Sequence, residues 1–236
     1  MTEPVKTRRR YDSSRRAEQA ARTRRAVLDS ARSLFSEQGY ARTTVGQIAE
    51  RAGVAVDTLY TSVGRKPALL RELVETAISG TDEAVPAEQR EYVQRIHLAG
   101  TAREKLTIYA EAITRIQVRM APIFRALRDA AVSDPDCAAL WHEISDRRAR
   151  NMRLFAAELR AAGGLRDGLD DDTVADVLWS LNAAEYWDLL VTRRGWRPDR
   201  FQAYLADTWI RLLLAEPSPA AGRPKRQKGI ARNGEE

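Results

Sequence analysis

Between residues 17 and 215 apolar side chains recur at helical spacing almost throughout, and nowhere do they alternate over the length of a strand. That pattern predicts an all-α protein. Val27, Leu28, Ala31, Leu34 and Phe35 form one stripe of a helix expected over about 17–38, which Gly39 stops. Thr44 and Gln47 have the spacing of a capping box ahead of a short helix at about 45–52. Gly53 breaks that helix, and another short one covers about 56–62. Pro67 suits the first turn of a fourth helix faced by Leu69, Leu70, Leu73, Val74 and Ala77, and Gly80 ends it. Residues 81–99 have no clear period, although a short helix from Pro86 is compatible with them. A second capping box, Thr101 with Glu104, opens a helix to about Met120, and Pro122 is expected to break or kink it. Asp134 and Pro135 start a long helix that runs to Gly163-Gly164. Asp170, Asp171 and Asp172 load the first turn of the next, about 171–194, closed by Gly195. Pro198 opens the last, to about Ala215. The expectation is about nine helices without an internal repeat.

Both ends lack this period. Residues 1–16, polar and rich in Arg, read as a disordered basic arm, and residues 216–236, with Pro, Gly and charge, as a disordered basic tail. The net charge of the 236 residues is +6, and its placement matters more than its size. Residues 1–66 hold 14 Lys/Arg against 7 Asp/Glu, whereas residues 67–215 hold 20 against 23. A basic head on a slightly acidic body points to a polyanion at one end and a different partner at the other. No stretch reaches the roughly 18 uncharged apolar residues that span a bilayer, and the first residues lack the apolar core of a secretory signal. The single cysteine, Cys137, excludes an intramolecular disulfide framework. The expected location is therefore the cytoplasm, at the nucleoid, with no membrane partner.

Residues 45–62 have the makings of a helix-turn-helix. Two short helices must cross closely if the second is to enter a major groove about 12 Å wide. Ala49 keeps the first helix slim at the crossing, Gly53 tolerates the unusual backbone of the turn, and Ile48, Val54 and Leu59 pin the second helix to the body. An ordinary helical hairpin needs no more than this. Its surroundings favour nucleic acid: Arg24, Arg25 and other arginines lie upstream, Arg65 and Lys66 lie at the next helix N-terminus, and Thr43, Thr44, Thr58, Tyr60 and Thr61 supply hydroxyl donors.

The run Thr23 to Leu70 (TRRAVLDSARSLFSEQGYARTTVGQIAERAGVAVDTLYTSVGRKPALL) resembles the N-terminal module of TetR-family transcriptional regulators. Ala31, Phe35, Gly39, Tyr40, Thr44, Ile48, Ala49, Gly53, Leu59, Tyr60 and Lys66 are among the matching positions. The resemblance implies that Thr44 meets a phosphate, that the helix from Val56 lies in the major groove, that Tyr60 reaches the backbone and that Lys66 binds phosphate. Ala55 departs from the pattern, standing where Ser often caps the recognition helix; the lost capping bond is worth about 1 kcal/mol. Asp57 is open to two readings: it accepts from a cytosine amino group, or it only favours the helix N-terminus and points away.

The resemblance also implies a larger helical domain, residues 67–215, that binds an effector and dimerises through its last two helices, behind a three-helix DNA-binding head at residues 17–66. A palindromic duplex operator matches a symmetric dimer, since one reading helix covers only a few base pairs. Val177, Leu178, Leu181, Trp187, Tyr204, Trp209 and Leu212 surround their helices too widely for one core-facing stripe, so they are candidates for a dimer interface; the competing reading puts them in the domain's own core. Tyr109, Ile113, Ile116, Met120, Phe124 and Trp141 lie on helices that the resemblance places around an effector cavity, and they too serve equally as core. The effector expected is small and mostly apolar or aromatic.

No enzymatic constellation is legible. His97 and His142, the only histidines, lack partners at zinc-helix spacing, and no phosphate loop or nucleophile elbow occurs. No metal, cofactor or catalytic residue is expected. The function expected is a transcriptional regulator, a repressor released by a small molecule, the alternative being a dimeric DNA binder whose body only dimerises.

Overall fold

The computed structural model describes residues 6–81 and 85–216, with side chains from residue 15 onward. Ten α-helices are present among the described residues, and extended pairing is limited to one bridge between Leu165 and Leu214. The head holds α1 (Lys6–Arg42), α2 (Val45–Ala52) and α3 (Val56–Ser62), and α4 (Lys66–Ser79) leads out of it. The body adds α5 (Glu91–Leu98), α6 (Ala102–Ala131), α7 (Pro135–Ala162), α8 (Asp171–Leu181), α9 (Ala184–Trp187) and α10 (Pro198–Leu213). A 3₁₀ turn at Ala87–Gln89 precedes α5, and a π-helical turn at Asp188–Arg193 follows α9. α6 is the central element. It packs on α1, α4, α5, α7, α9 and α10, and its Leu106, Ile123 and Leu127 have no exposed surface.

Local chemistry sets the element ends. The Thr44 hydroxyl accepts from the Gln47 N–H at 3.2 Å, and the Gln47 side chain accepts from the Thr44 N–H at 2.9 Å. Thr101 and Glu104 repeat this reciprocal pair at the start of α6. Gly53 adopts φ 68°, a left-handed conformation that costs a glycine nothing, and its N–H returns to Ala49 and Glu50.

Three expectations need correction. Residues 6–16, expected as a disordered arm, continue α1 as helix; residues 1–5 and 217–236 of the two expected tails lie outside the described residues, as do the side chains of Arg8, Arg9 and Arg10. α6 does not end near Met120 but runs through Pro122 to Ala131. The carbonyl that Pro122 leaves without a donor belongs to Val118, which is exposed, so water can satisfy it. The helix expected over 171–194 is split at Asn182-Ala183. Asn182 turns into the core, where its Nδ2 donates to the Tyr109 hydroxyl at 2.8 Å, its backbone carbonyl accepts from Gln117 at 2.7 Å, and its Oδ1 accepts from Arg148. Those bonds replace the helical ones, which is why ten helices form instead of nine.

Head and body meet where α1 turns into α2. Gly39, at φ 78°, breaks the helical course of α1, and Tyr40 folds under it. The Tyr40 hydroxyl donates to Asp134 Oδ2 at 2.8 Å, at the N-cap of α7. Burial pushes the Asp134 carboxyl up, but the bonds from Tyr40 and from the Cys137 and Asp136 N–H groups outweigh it and hold its pKa below the usual carboxylate value. That stabilisation is complete above the unfolded pKa of about 3.9 and is lost as pH falls through the lower folded value. Tyr40→Phe is therefore expected to cost about 1.5–3 kcal/mol at neutral pH. The cost should shrink below about pH 4, where thermal melts of the two proteins converge.

Candidate nucleic-acid interface and central cavity

In α3 the helical period separates two faces. Leu59 is fully buried against the head, with Ile48 and Ala49 of α2 below it and Val54 half-buried in the turn. Val56, Asp57, Tyr60 and Thr61, four residues apart in pairs, share the outward face, and Thr58 is exposed beside them. Val56 is 40% and Tyr60 47% exposed, which is far for an apolar and an aromatic side chain to stand out of a core. Ala55 gives α3 no side-chain cap. Thr44 is exposed at the start of α2; its oxygen is committed to the capping bond, but its hydroxyl hydrogen remains to donate.

Three of the expected contacts are engaged within the protein itself. Thr43 is 1% exposed; its hydroxyl donates to the Gly39 carbonyl at 2.8 Å and closes the loop between α1 and α2. Lys66 is turned inward. Its Nζ donates to the carbonyls of Tyr40 at 2.7 Å and Thr43 at 2.8 Å and stands 3.8 Å from the centre of the Tyr40 ring. Burial pushes its pKa down. Arg24 is half-buried, ion-paired with Glu72 on α4 and donating to the Ser62 carbonyl at the end of α3. Thr43 and Lys66 satisfy carbonyls of the α1–α2 loop, whereas Arg24 ties α1 to the end of α3 and to α4. Arg25 is exposed on α1. Arg42 and Arg65, exposed on either side of the reading helices, make no side-chain bond among the described residues. Arg51, by contrast, is held by Glu37 through two bonds of 2.8 and 3.0 Å.

The body forms a cavity of about 670 Å³, partly open to solvent, between α4, α5, α6, α7 and the α8–α9 break. Tyr109, Ile113, Ile116, Met120 and Phe124 line it, and Ile144 and Phe155 face them from α7. Trp141 does not line it; its ring lies against Phe124 at 4.6 Å between centres. Sequence reasoning missed the polar part of the wall: Gln117, Arg148 and Asn182, together with Glu75 paired to Arg147 at 2.7 Å and Glu158 paired to buried Lys105 at 2.8 Å. Gln117 carried the one legible signal, a polar residue four positions from Ile113 on the apolar stripe of α6. Its Oε1 is buried with no partner.

The aromatic residues of the last helices divide. Leu178, Trp187 and Trp209 are buried within the protomer, where the core reading puts them. Trp209 stacks on Tyr109 at 5.4 Å, and Trp187 meets Phe201 edge-on at 5.0 Å. Val177 and Leu181 are half-buried, whereas Tyr204 and Leu212 are exposed on α10. No described helix is long and apolar enough to cross a membrane, and no group of three or more His, Cys, Asp and Glu among the described residues is arranged to hold a metal ion.

These features define an all-helical fold with a helix-turn-helix head and a body that carries a large, partly open pocket. Residues 27–73, which run from α1 through the head into α4, match the family model described as bacterial regulatory proteins, tetR family. Solved structures share the fold across most of the chain. A putative transcriptional regulator from Saccharomonospora viridis in complex with choline is 21% identical, with a TM-score of 0.62, over 82% of this chain and 98% of that one. NalD of Pseudomonas aeruginosa, the secondary repressor of the MexAB-OprM multidrug efflux pump, is 22% identical with a TM-score of 0.65, over 83% and 98%. The SmeT-triclosan complex is 18% identical with a TM-score of 0.64, over 89% and 99%. No curated protein matches the chain.

Proposed function

We propose that this protein is a homodimeric, sequence-specific DNA-binding regulator of transcription, a repressor that a small effector releases from a palindromic operator in the cytoplasm. The observation that carries the reading is the outward face of α3, which displays Val56, Asp57, Thr58, Tyr60 and Thr61 around a buried Leu59 in a TetR-type head. Residues 17–66 are the reading head and residues 67–215 the effector and dimerisation body. Val56, Asp57 and Thr58 would face base edges, while Thr44, Tyr60 and Thr61 would meet phosphates, with Arg42, Arg65 and Arg25 beside them in place of Lys66 and Arg24. Val177, Leu181, Tyr204 and Leu212 are the part of the last helices open to a second copy. The pocket favours an effector-gated protein over one whose body only dimerises, because it sets an apolar lining on α6 beside a polar end at Gln117, Arg148 and Asn182, the make-up of a small-molecule site. The related structures hold choline in one case and triclosan in another. An effector acts only through different affinities for the DNA-competent and incompetent dimers.

Mobility shift on duplex fragments from beside the protein's own coding region tests this. Binding should be specific and should fall steeply with salt as counterions are released. Absence of any specific shift at low salt would sink the proposal. Asp57→Ala should relax base preference at one position of each half-site, by about 1–3 kcal/mol against the wrong base; a panel of operator variants reads this directly, and an unchanged profile leaves Asp57 a helix-dipole residue only.

A further inference from the structure

The charges in the cavity wall are not equally satisfied. Glu75 has Arg147, and Glu158 has Lys105 and, at 3.1 Å, His97. Glu88 is exposed and Arg90 half-buried on the short 3₁₀ segment, where Arg90 Nε donates to the Val85 carbonyl. Arg148 has no carboxylate within ion-pair distance among the described residues. Its two bonds both leave from Nη2, to the Trp179 carbonyl at 2.9 Å and to Asn182 Oδ1. Nε and Nη1 donate to nothing among the described residues. Arg148 is half-buried, and the partial loss of water pushes its pKa below the ordinary arginine value against the opposing pull of Tyr109 and Glu185. A cation partly removed from water is stabilised by an anion, by a full set of acceptors or by an aromatic face; Arg148 has two acceptors and the Trp179 ring, 5.2 Å away, but no anion among the described residues. Around it the Tyr109 hydroxyl and the Gln117 and Asn182 amides form one polar end, joined through Asn182. The rest of the wall is aliphatic and aromatic.

We infer that the effector is an amphipathic monocarboxylate: its carboxylate binds the free edge of the Arg148 guanidinium, and its apolar body lies along Ile113, Ile116, Met120 and Phe124. Arg is suited to this because its planar N–H pairs meet both oxygens of a carboxylate at once. The inference rests on the reading of the cavity as the effector site and adds the chemical class of its occupant. The neutral alcohol or the ammonium of the same carbon chain keeps the apolar contacts and loses the ion pair.

Calorimetry without DNA, using octanoate, octanol and octyltrimethylammonium, tests the assignment. Octanoate should bind at least about tenfold more tightly than octanol, the smallest gain expected of a charge-assisted hydrogen-bonded pair, and the ammonium most weakly. Arg148→Met should erase the preference for the acid while leaving octanol affinity within about twofold. Arg148→Lys, which keeps the charge and loses the planar edge, should retain part of the preference. Equal binding of acid and alcohol, preference for the ammonium, no binding of octanoate, or a preference for the acid that survives in Arg148→Met would each overturn the assignment. The wild-type series decides the matter even if the Met variant does not fold. Operator release, followed separately, keeps the two readings distinct: tight octanoate binding without release sinks the gated regulator and leaves the carboxylate site standing, whereas release by octanol in preference to octanoate does the reverse.

Discussion

Trp209→Ala is expected to lower the stability of the protein by about 3–5 kcal/mol, and its melting midpoint by about 10 °C for a chain of this size, by the same amount at every protein concentration. Trp209 has no exposed surface, and its ring is stacked on Tyr109, which in turn meets Phe155 edge-on at 5.0 Å. Truncation removes the largest fully buried side chain of α10 and leaves a void beside the cavity wall. If Trp209 lay instead at a subunit interface, the loss would appear as dimer dissociation, and the midpoint shift would grow on dilution. Leu212→Asp is the contrasting variant. Leu212 lies three residues on and is 47% exposed, so the substitution should leave the melt of the protomer within about 0.5 kcal/mol while shifting sedimentation from dimer towards monomer. Identical behaviour of the two variants would return both residues to one role.

The difference between Trp209 and Leu212 is of a kind that sequence does not settle. Both belong to the apolar surround of one helix, and period alone cannot say which side the protomer covers and which a partner covers. What is legible in the chain is what local chemistry fixes. The Thr44 and Thr101 capping boxes, the stops at Gly53 and Gly80, and the Pro67 and Pro198 starts all depend on residues within a turn of one another, and the structure follows them. The break at Asn182 is not legible, because it is made by Tyr109, Gln117 and Arg148, which arrive from two other helices. Pro122 misleads for the opposite reason: a local rule predicts a break, and the exposure of Val118 removes the penalty on which the rule rests. In the cavity the apolar lining on α6 is legible from its stripe. Of the polar end only Gln117 is, as a polar break in that stripe, since the rest exists only where α6, α7 and the α8–α9 break meet.

Lys66 shows how far a resemblance of residues determines a role, and Lys66→Met separates the two roles it has been given. As a phosphate ligand, Lys66 would contribute one released counterion per head, so the variant would reduce the slope of log K against log salt by about 0.9 for each phosphate left un-neutralised. As a staple, it holds the carbonyls of Tyr40 and Thr43 and lies on the Tyr40 ring, which itself ties the head to Asp134. Methionine keeps much of the stem's packing and supplies no donor, leaving the Thr43 carbonyl without its Lys66 bond. The expected cost is about 2–3 kcal/mol of stability, the range for hydrogen bonds that involve a charged group. Operator affinity should fall with it because the loop that orients α2 and α3 loosens, yet the salt slope should match that of the wild type. Arg65→Met reverses the pattern: an exposed side chain without a bond among the described residues is expected to leave the melt unchanged and to flatten the slope. A Lys66→Met protein with normal stability and a flattened slope would mean that the inward ammonium swings out when duplex arrives, and that the matching residue keeps the role the family resemblance gives it.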